Sequence, residues 1–353
     1  MAVAGAVALV YALGITLCAS MLARNRLVAS GNHALRMSET GIERGNTPPS
    51  PLPVEGDFAT VRVGSYVDGI DGFSLRESTW SANFHVWFNW TGPRDLDPGG
   101  KMVLVDGNVT RKELLEDHHG ADGTNYQRYR LSGKFLKFFD TMRVPVESHM
   151  LNIHIEDGSR DGTRLRYVAD PTSSVSSRAR IPGFRITGAS TTVKPHTYRV
   201  KYGDPRLTAG ESKTFSQYIV GVDIARVNLG VYAKVFLSLF AALALALSSF
   251  FVKASDVAPR LALPTAAFFG AVANSYVASS ILPPSGAFGL VDCVAAFGQG
   301  TIFLTVVLAM LSNHFMVKMS DRETSYVLDR TMFVVVALCC LAANVVLPWS
   351  ALG

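Results

Sequence analysis

The chain is poor in cysteine and, over long stretches, has no charge at all. Only four cysteines stand among 353 residues: Cys18, Cys293, Cys339 and Cys340. All four fall inside apolar segments, so the polar half has no disulfide framework even if it faces an oxidising space. They read as small apolar side chains, and no metal or cofactor is expected from them. Lys, Arg, Asp and Glu are absent from residues 235–252, 261–291, 293–317 and 331–353. About 20 apolar residues cross a bilayer core as a helix, so each stretch is long enough for one crossing and none is comfortable for two. Soluble, disordered and fibrous classes are thereby excluded. The net charge of +5 comes with no basic run and no basic-aromatic stripe, which excludes a nucleic-acid partner. An enzyme finds no foothold either. The Ser173–Ser177 stretch lacks a strand-to-helix nucleophile setting, His118 and His119 have no third ligand at metal spacing, and no Gly-rich phosphate loop is present.

What remains is a composition of 48% hydrophobic and 17% charged residues that divides along the chain. Residues 3–22 form a further apolar stretch, followed by Arg24 and Arg26. Residues 1–25 are a secretory signal or an uncleaved anchor. The absence of Lys and Arg before the apolar run, and of a clear small-x-small cleavage site, favours the anchor. The prolines at 48, 49, 51 and 53 predict an extended linker over 26–55. From 56 to 226 the dominant period is two: Phe84, Val86, Phe88 and Trp90 share one face, as do Leu151, Ile153 and Ile155. Short turn-punctuated strands over about 170 residues predict an antiparallel β-sandwich. One helix is expected at 110–118, where Thr110 would cap and Lys112, Glu113 and Glu116 would face water. Residues 227–353 are expected to form a four-helix membrane domain, with helices at about 229–252, 260–282, 290–317 and 331–350.

Basic residues orient those spans. Lys253 and Arg260 lie between the first and second, and Lys318, Arg322 and Arg330 between the third and fourth, whereas the connection around Pro283 and the C-terminal tail have none. Both basic loops are then cytoplasmic and the β region lies outside. Arg24 and Arg26 run against this and have no topological meaning if the segment before them is removed.

Several stretches, in order, resemble one family. Residues 144–149 (Val-Pro-Val-Glu-Ser-His) stand where the family has Phe-Pro-Phe-Asp-x-Gln, and 85–90 (His-Val-Trp-Phe-Asn-Trp) look like its second strand with a buried Trp. Arg226 ends the last strand just before the first span. Arg260, the Ser279–Pro283 stretch and Leu290 to Asp292 resemble the second span, its outer Pro and the start of the third. Together these resemble the bacterial branch of the pentameric ligand-gated ion channels, covering the chain from about Phe58 onward. The chain departs from the pattern in lacking cysteines around Pro145, in Glu147 for Asp and His149 for Gln, and in a first span without its usual Pro.

The resemblance implies a homopentamer in a bacterial inner membrane, gated by a small molecule or by protons and passing small inorganic ions. With a 3.6 period anchored on Arg260 and Pro283, it places Ala262, Ala266, Phe269, Ala273, Tyr276 and Ser280 on the pore face, with Phe269 as a dry gate. Pro264, inside this helix, frees a backbone carbonyl and marks either a hinge or a plain bend. Selectivity is assigned to Asp256, Pro259 and Arg260; Pro259, where cation-selective relatives have Glu, leans toward anions. Coupling between the domains is assigned to Glu77, Pro145, Glu147, Arg226 and Pro283, with Glu147 or Glu77 pairing to Arg226. The agonist site is assigned to His85, Glu156, Tyr202 and Phe215, without a complete aromatic box, and His85 and His149 raise proton gating. The alternative is a membrane sensor or adaptor of the same architecture that does not conduct.

Overall fold

A computed structural model describes residues 2–200, 212–227, 229–282 and 287–352. In chain order the elements are α1 (Ala2–Met37), β1 (Ala59–Ser74), β2 (Thr79–Thr91), α2 (Pro98–Lys101), β3 (Met102–Leu104), β4 (Gly107–His119), β5 (Thr124–Leu136), β6 (Ser148–Asp157), β7 (Leu165–Ala169), β8 (Ser174–Val175), β9 (Phe184–Tyr198) and β10 (Lys213–Arg226). Then follow α3 (Gly230–Val235), α4 (Leu237–Ser248), α5 (Val257–Ile281), α6 (Leu290–Asn313) with a π-helical turn over His314–Lys318, and α7 (Arg322–Ala351). The chain divides into a strand unit, residues 29–139 and 148–225, and a helical unit made of the first 28 residues, 140–147 and everything from 226 onward.

The strand unit holds two sheets. One has the order β4-β5-β2-β1-β7 with β8 also on β1, and the other the order β3-β6-β10-β9. Hairpin partners are antiparallel, but β7 and β8 run parallel to β1, so the region is a mixed, sandwich-like pair of sheets. The period of two is realised most cleanly in β2, where Trp80, Ala82, Phe84, Val86, Phe88 and Trp90 are buried and the residues between them are not. Leu151, Ile153 and Ile155 of β6 are fully buried. The two sheets meet through polar contacts as well, the Tyr218 hydroxyl of β10 lying 2.9 Å from Ser65 Oγ of β1.

The helix expected at 110–118 is a strand. Residues 107–119 form the edge strand β4, paired along its length with β5. Gly123, at φ 81°, closes the hairpin in a conformation that side chains disfavour. Arg128 bonds Glu116 at 2.5 Å and the Lys112 ammonium sits 5.0 Å from the centre of the Tyr129 ring. Nearly every β4 side chain is at least partly exposed on both faces, so the apolar alternation that betrays a strand is missing and cross-strand pairing decides the conformation. The linker also begins later than expected. α1 runs on to Met37, since residues 26–37 contain no helix breaker stronger than Gly31 and the first proline is Pro48.

In the helical unit α4 packs on α5, α5 on α6 and α6 on α7, and α4 also meets α6. Phe236, Leu239 and Ala246 are buried against Ala267, Ala271, Leu290 and Ile302. Four helices are long and apolar enough to cross a membrane: α1, α5, α6 with its π turn, and α7. The expected first span is α3 and α4, interrupted at Phe236, whose φ of −103° leaves the helical range while the Phe236 and Phe240 amides keep their i−4 bonds. Leu22 of α1 is fully buried in the helical core, and the Tyr11 hydroxyl bonds Thr301 of α6.

Candidate functional site

α5 has two unlike faces. Arg260, Pro264, Ala267, Ala271, Asn274 and Ala278 are buried, at the three- and four-residue spacing of one helical side. The expected pore residues Ala262, Ala266, Phe269, Ala273, Tyr276 and Ser280 are all exposed in the chain, Phe269 by 70% and Tyr276 by 79%. The buried face is pinned by polar contacts rather than by size. Asn274 Oδ1 accepts from Ser238 Oγ at 2.6 Å and from the Leu239 amide at 3.3 Å. Gln299 Nε2 donates to Ser275 Oγ at 3.1 Å. On the other side the hydroxyls turn inward: Ser280 Oγ donates to the Val277 carbonyl at 2.7 Å, and Thr265 Oγ1 to that of Leu261 at 2.8 Å. Such back-bonded hydroxyls are satisfied within the helix itself.

Arg260 does not belong with Asp256 and Pro259. The two latter residues are exposed, but Arg260 is 1% exposed, its guanidinium bonded to Asp329 of α7 and 3.4 Å from Ser312 Oγ. A buried charge is held only by pairing, and this pair ties α5 to α7. The Asp256 side chain is itself 3.1 Å from Ser255 Oγ.

Of the coupling residues, Pro145, Glu147 and Arg226 come together in the helical unit. The Val144–Pro145 bond is cis, and Val144, Pro145 and Val146 are buried, Val146 within the core of α4 to α7. Arg226 Nε donates to Glu147 Oε1 at 3.0 Å, and the Arg226 amide to the Glu147 carbonyl at 3.2 Å. Glu147 has no exposed surface, and burial raises its carboxyl above the usual range although Arg226 opposes the shift. The same loop is stitched to the helices. The Leu290 amide donates to the Met142 carbonyl at 2.7 Å, Arg143 reaches the Ala351 carbonyl at 3.4 Å, and Asn25 donates to Asp140 at 2.7 Å. Glu77 is exposed in the turn after β1, in the strand unit, its amide donating to Ser74 Oγ at 3.1 Å, so Glu147 and not Glu77 is the described partner of Arg226. Pro283 lies outside the described residues.

The expected ligand residues are only partly gathered. Glu156 is 2% exposed and accepts from Tyr198 at 3.0 Å and from Gln217 at 2.7 Å, with His196 Nδ1 2.6 Å away. Phe215 packs edge-on to Tyr198 at 5.5 Å between ring centres. His85 belongs elsewhere: on β2, it pairs with Asp68 of β1 at 3.0 Å. Tyr202 lies outside the described residues. His149 sits in an aromatic cluster, 5.1 Å from the Phe139 ring and 6.2 Å from that of Phe73.

A second polar cluster in the strand unit was not visible in the sequence. Arg36 grips Glu43 bidentately, Nε to Oε1 at 2.7 Å and Nη2 to Oε2 at 2.5 Å, while its Nη1 and the Lys137 ammonium both donate to Asn152 Oδ1, at 3.1 and 2.8 Å. These residues come from α1, the segment after it, the position just past β5, and β6. No local pattern links them; only the alternation of β6, which turns Asn152 and His154 away from the buried Leu151 and Ile153, marks that face as a separate surface. Among the described residues no group of His, Cys, Asp and Glu could hold a metal ion.

No protein-family model matches the chain, and no curated protein matches it.

Proposed function

We propose that the chain is one subunit of a homopentameric, ligand- or proton-gated ion channel of the bacterial type, in which α5 lines the pore and the strand unit lies on the periplasmic side of the inner membrane. The observation that carries this is the division of α5 into a face pinned by Asn274 and Arg260 and an opposite face of alanines, Phe269, Tyr276 and Ser280 left uncovered by the chain itself. Five copies turning that face inward give an axis that is small at Ala262 and Ala266, constricted by apolar rings at Phe269, and polar at Ser280. A phenyl-lined neck dewets readily and serves as the gate. Pro259 and Asp256 lie exposed at the start of α5 and set the sign of the permeant ion, with anions preferred because the resemblance places Pro259 where cation-selective relatives carry Glu. The ion pair of Glu147 and Arg226 supports a coupling role, because each partner leads directly into a strand: Glu147 precedes β6, and Arg226 ends β10.

The test is current from purified protein in liposomes across pH 4 to 8, with the reversal potential read in asymmetric salt. Saturable, activatable current with an anion-directed reversal potential is expected. Silence under all conditions, with intact pentamers, would reject the channel in favour of a sensor that does not conduct.

A further inference from the structure

The strand unit carries a cleft of about 1250 Å³ between the outward face of β6, β9 and β10 and the irregular segment that follows α1. Its carboxylates and its cations are unequally provided for. Glu43 is held in the fork of Arg36, and Asp106 lies 2.7 Å from His154 Nδ1. Those partners hold both carboxyls below their ordinary range: for Glu43 the Arg36 bond and charge outweigh burial, and for Asp106 the His154 bond dominates. Glu39 stands exposed on the rim.

The lysines have no such match. Lys137 donates to the neutral Asn152 Oδ1, and Lys194 donates to the Leu35 and Gly41 carbonyls at 2.6 and 2.8 Å. Neither ammonium forms an ion pair among the described residues; Arg36 repels Lys137 more than Glu43 or Asp106 attracts it, whereas at Lys194 the Glu43 charge outweighs that of Arg36. Arg199 also ends on a carbonyl, that of Pro48, at 2.8 Å. The amide of Asn152, 4% exposed, is oriented by the two cations on its oxygen, and its Nδ2 has no acceptor among the described residues. The cleft thus offers several donors, three of them charged and, among the described residues, held only by neutral oxygens, and each carboxylate inside it is already taken. Tyr198, Pro48, Leu136 and Ile219 add apolar wall.

We propose that this cleft is a binding site for a small organic carboxylate, held between the ammonium groups of Lys137 and Lys194 beside the Arg36–Glu43 pair. A carboxylate is the chemistry the site already accepts, since the side chain of Glu43 occupies the neighbouring guanidinium fork in bidentate geometry. Entry of an anion converts two ammoniums held by neutral oxygens into charge-assisted pairs and relieves the repulsion between Lys137 and Arg36. The inference does not depend on whether the chain conducts.

Burial, with Arg36 beside it, pulls Lys137 down to about 7, and Glu43 and Asp106 only partly offset this. The bound anion requires the protonated ammonium, so affinity is full below pH 7 and falls above it. His154 and His196 face the same space, so a pH dependence by itself does not single out Lys137.

The experiment is calorimetric titration of the purified full-length protein in detergent with acetate, succinate and benzoate at pH 6.0 and 8.5, with inorganic phosphate and methylammonium chloride as comparisons. At least one carboxylate binds saturably at pH 6.0, and Lys137→Met and Lys194→Met each weaken it tenfold or more. Lys137→Arg keeps binding at pH 6.0 and flattens the loss at pH 8.5, because a guanidinium stays charged. Should Lys137→Met fail to fold, Lys194→Met and Lys137→Arg still decide. The proposal is overturned if no carboxylate saturates at pH 6.0, if phosphate alone binds, or if the folded lysine variants bind as the parent does.

Discussion

Arg226 and Glu147 bind each other twice, side chain to side chain at 3.0 Å and amide to carbonyl at 3.2 Å, with the carboxylate wholly buried. The backbone bond survives any substitution, so variants isolate the charges. Removing the cation alone strands a buried carboxylate, which costs about 3–5 kcal/mol, whereas removing both charges together is far milder. Arg226→Met therefore lowers the melting temperature in detergent strongly, and Glu147→Gln with Arg226→Met restores most of it. A coupling role predicts further that charge reversal at Arg226 abolishes gating in protein that still assembles. Intact gating in that variant would leave the pair a static clamp.

The pH dependence of the same group has a definite sign. Burial holds the Glu147 carboxyl above its ordinary range, so the folded state binds that proton more tightly than the unfolded state. The resulting stability is present in full below the unfolded pKa and is lost as pH rises through the raised folded one. Melting curves from pH 4 to 8 should show the parent losing stability relative to Glu147→Gln over that window. A difference that grows instead toward acid would mean that Arg226 dominates and the carboxyl titrates low.

Arg260 and Asp329 make the opposite case to Asp256 and Pro259, although three of the four lie within five residues. Asp329→Asn removes the carboxylate that holds an arginine 1% exposed, and a loss of about 3–5 kcal/mol follows. Asp256→Asn and Pro259→Ala change exposed side chains and leave the melting temperature within a degree or two, while they move the reversal potential if they set ion selectivity. Thermal melting and asymmetric-salt recordings on the same preparations separate the two classes.

What the sequence could reveal followed from period and charge. β2 reads correctly because burial on one face imposes alternation, and α5 reads correctly as a helix because its small and polar residues recur at 3.6. β4 misleads because an edge strand exposed on both faces carries no alternation, so Lys112, Glu113 and Glu116 imitate a solvated helix. Arg260 misleads for another reason. Its position in the helix is evident, but its direction is decided by Asp329, 69 residues away. The cleft around Asn152 has the least signal of all, since four distant segments supply its donors and each of them alone is an ordinary polar residue.

Gly289 controls how α6 begins. A Cβ there would lie 2.7 Å from the Met142 carbonyl oxygen and 2.9 Å from its Cα, and these are backbone atoms with no flexible side chain to yield. Its amide also donates to Asp292 at 2.8 Å, closing the first turn of the helix. Gly289→Ala should therefore push the Pro145 loop off α6 and break the Met142–Leu290 bond, with a cost of about 1–3 kcal/mol for the overpacking alone. The variant melts early, whereas Gly300→Ala, with open space for its Cβ inside α6, melts no earlier than the parent.

The pore assignment makes the sharpest demand on α5, because exposure in one chain does not say what the exposed side meets. Phe268 and Phe269 are both exposed, by 48% and 70%, and lie about 100° apart around the helix. If Phe269 lines a water path and Phe268 faces a neighbour or lipid, a charged thiol reagent applied in water modifies Phe269→Cys and Tyr276→Cys but not Phe268→Cys. These experiments are made in a background with the native cysteines replaced. Ala267→Cys, at 1% exposure, provides the buried control. Loss of the phenyl ring from the proposed neck also removes the dewetted barrier, so Phe269→Ala conducts without agonist while its melting temperature stays near the parent value. Equal protection of all four positions, with no leak in Phe269→Ala, would place that face against lipid or protein and reject the pore.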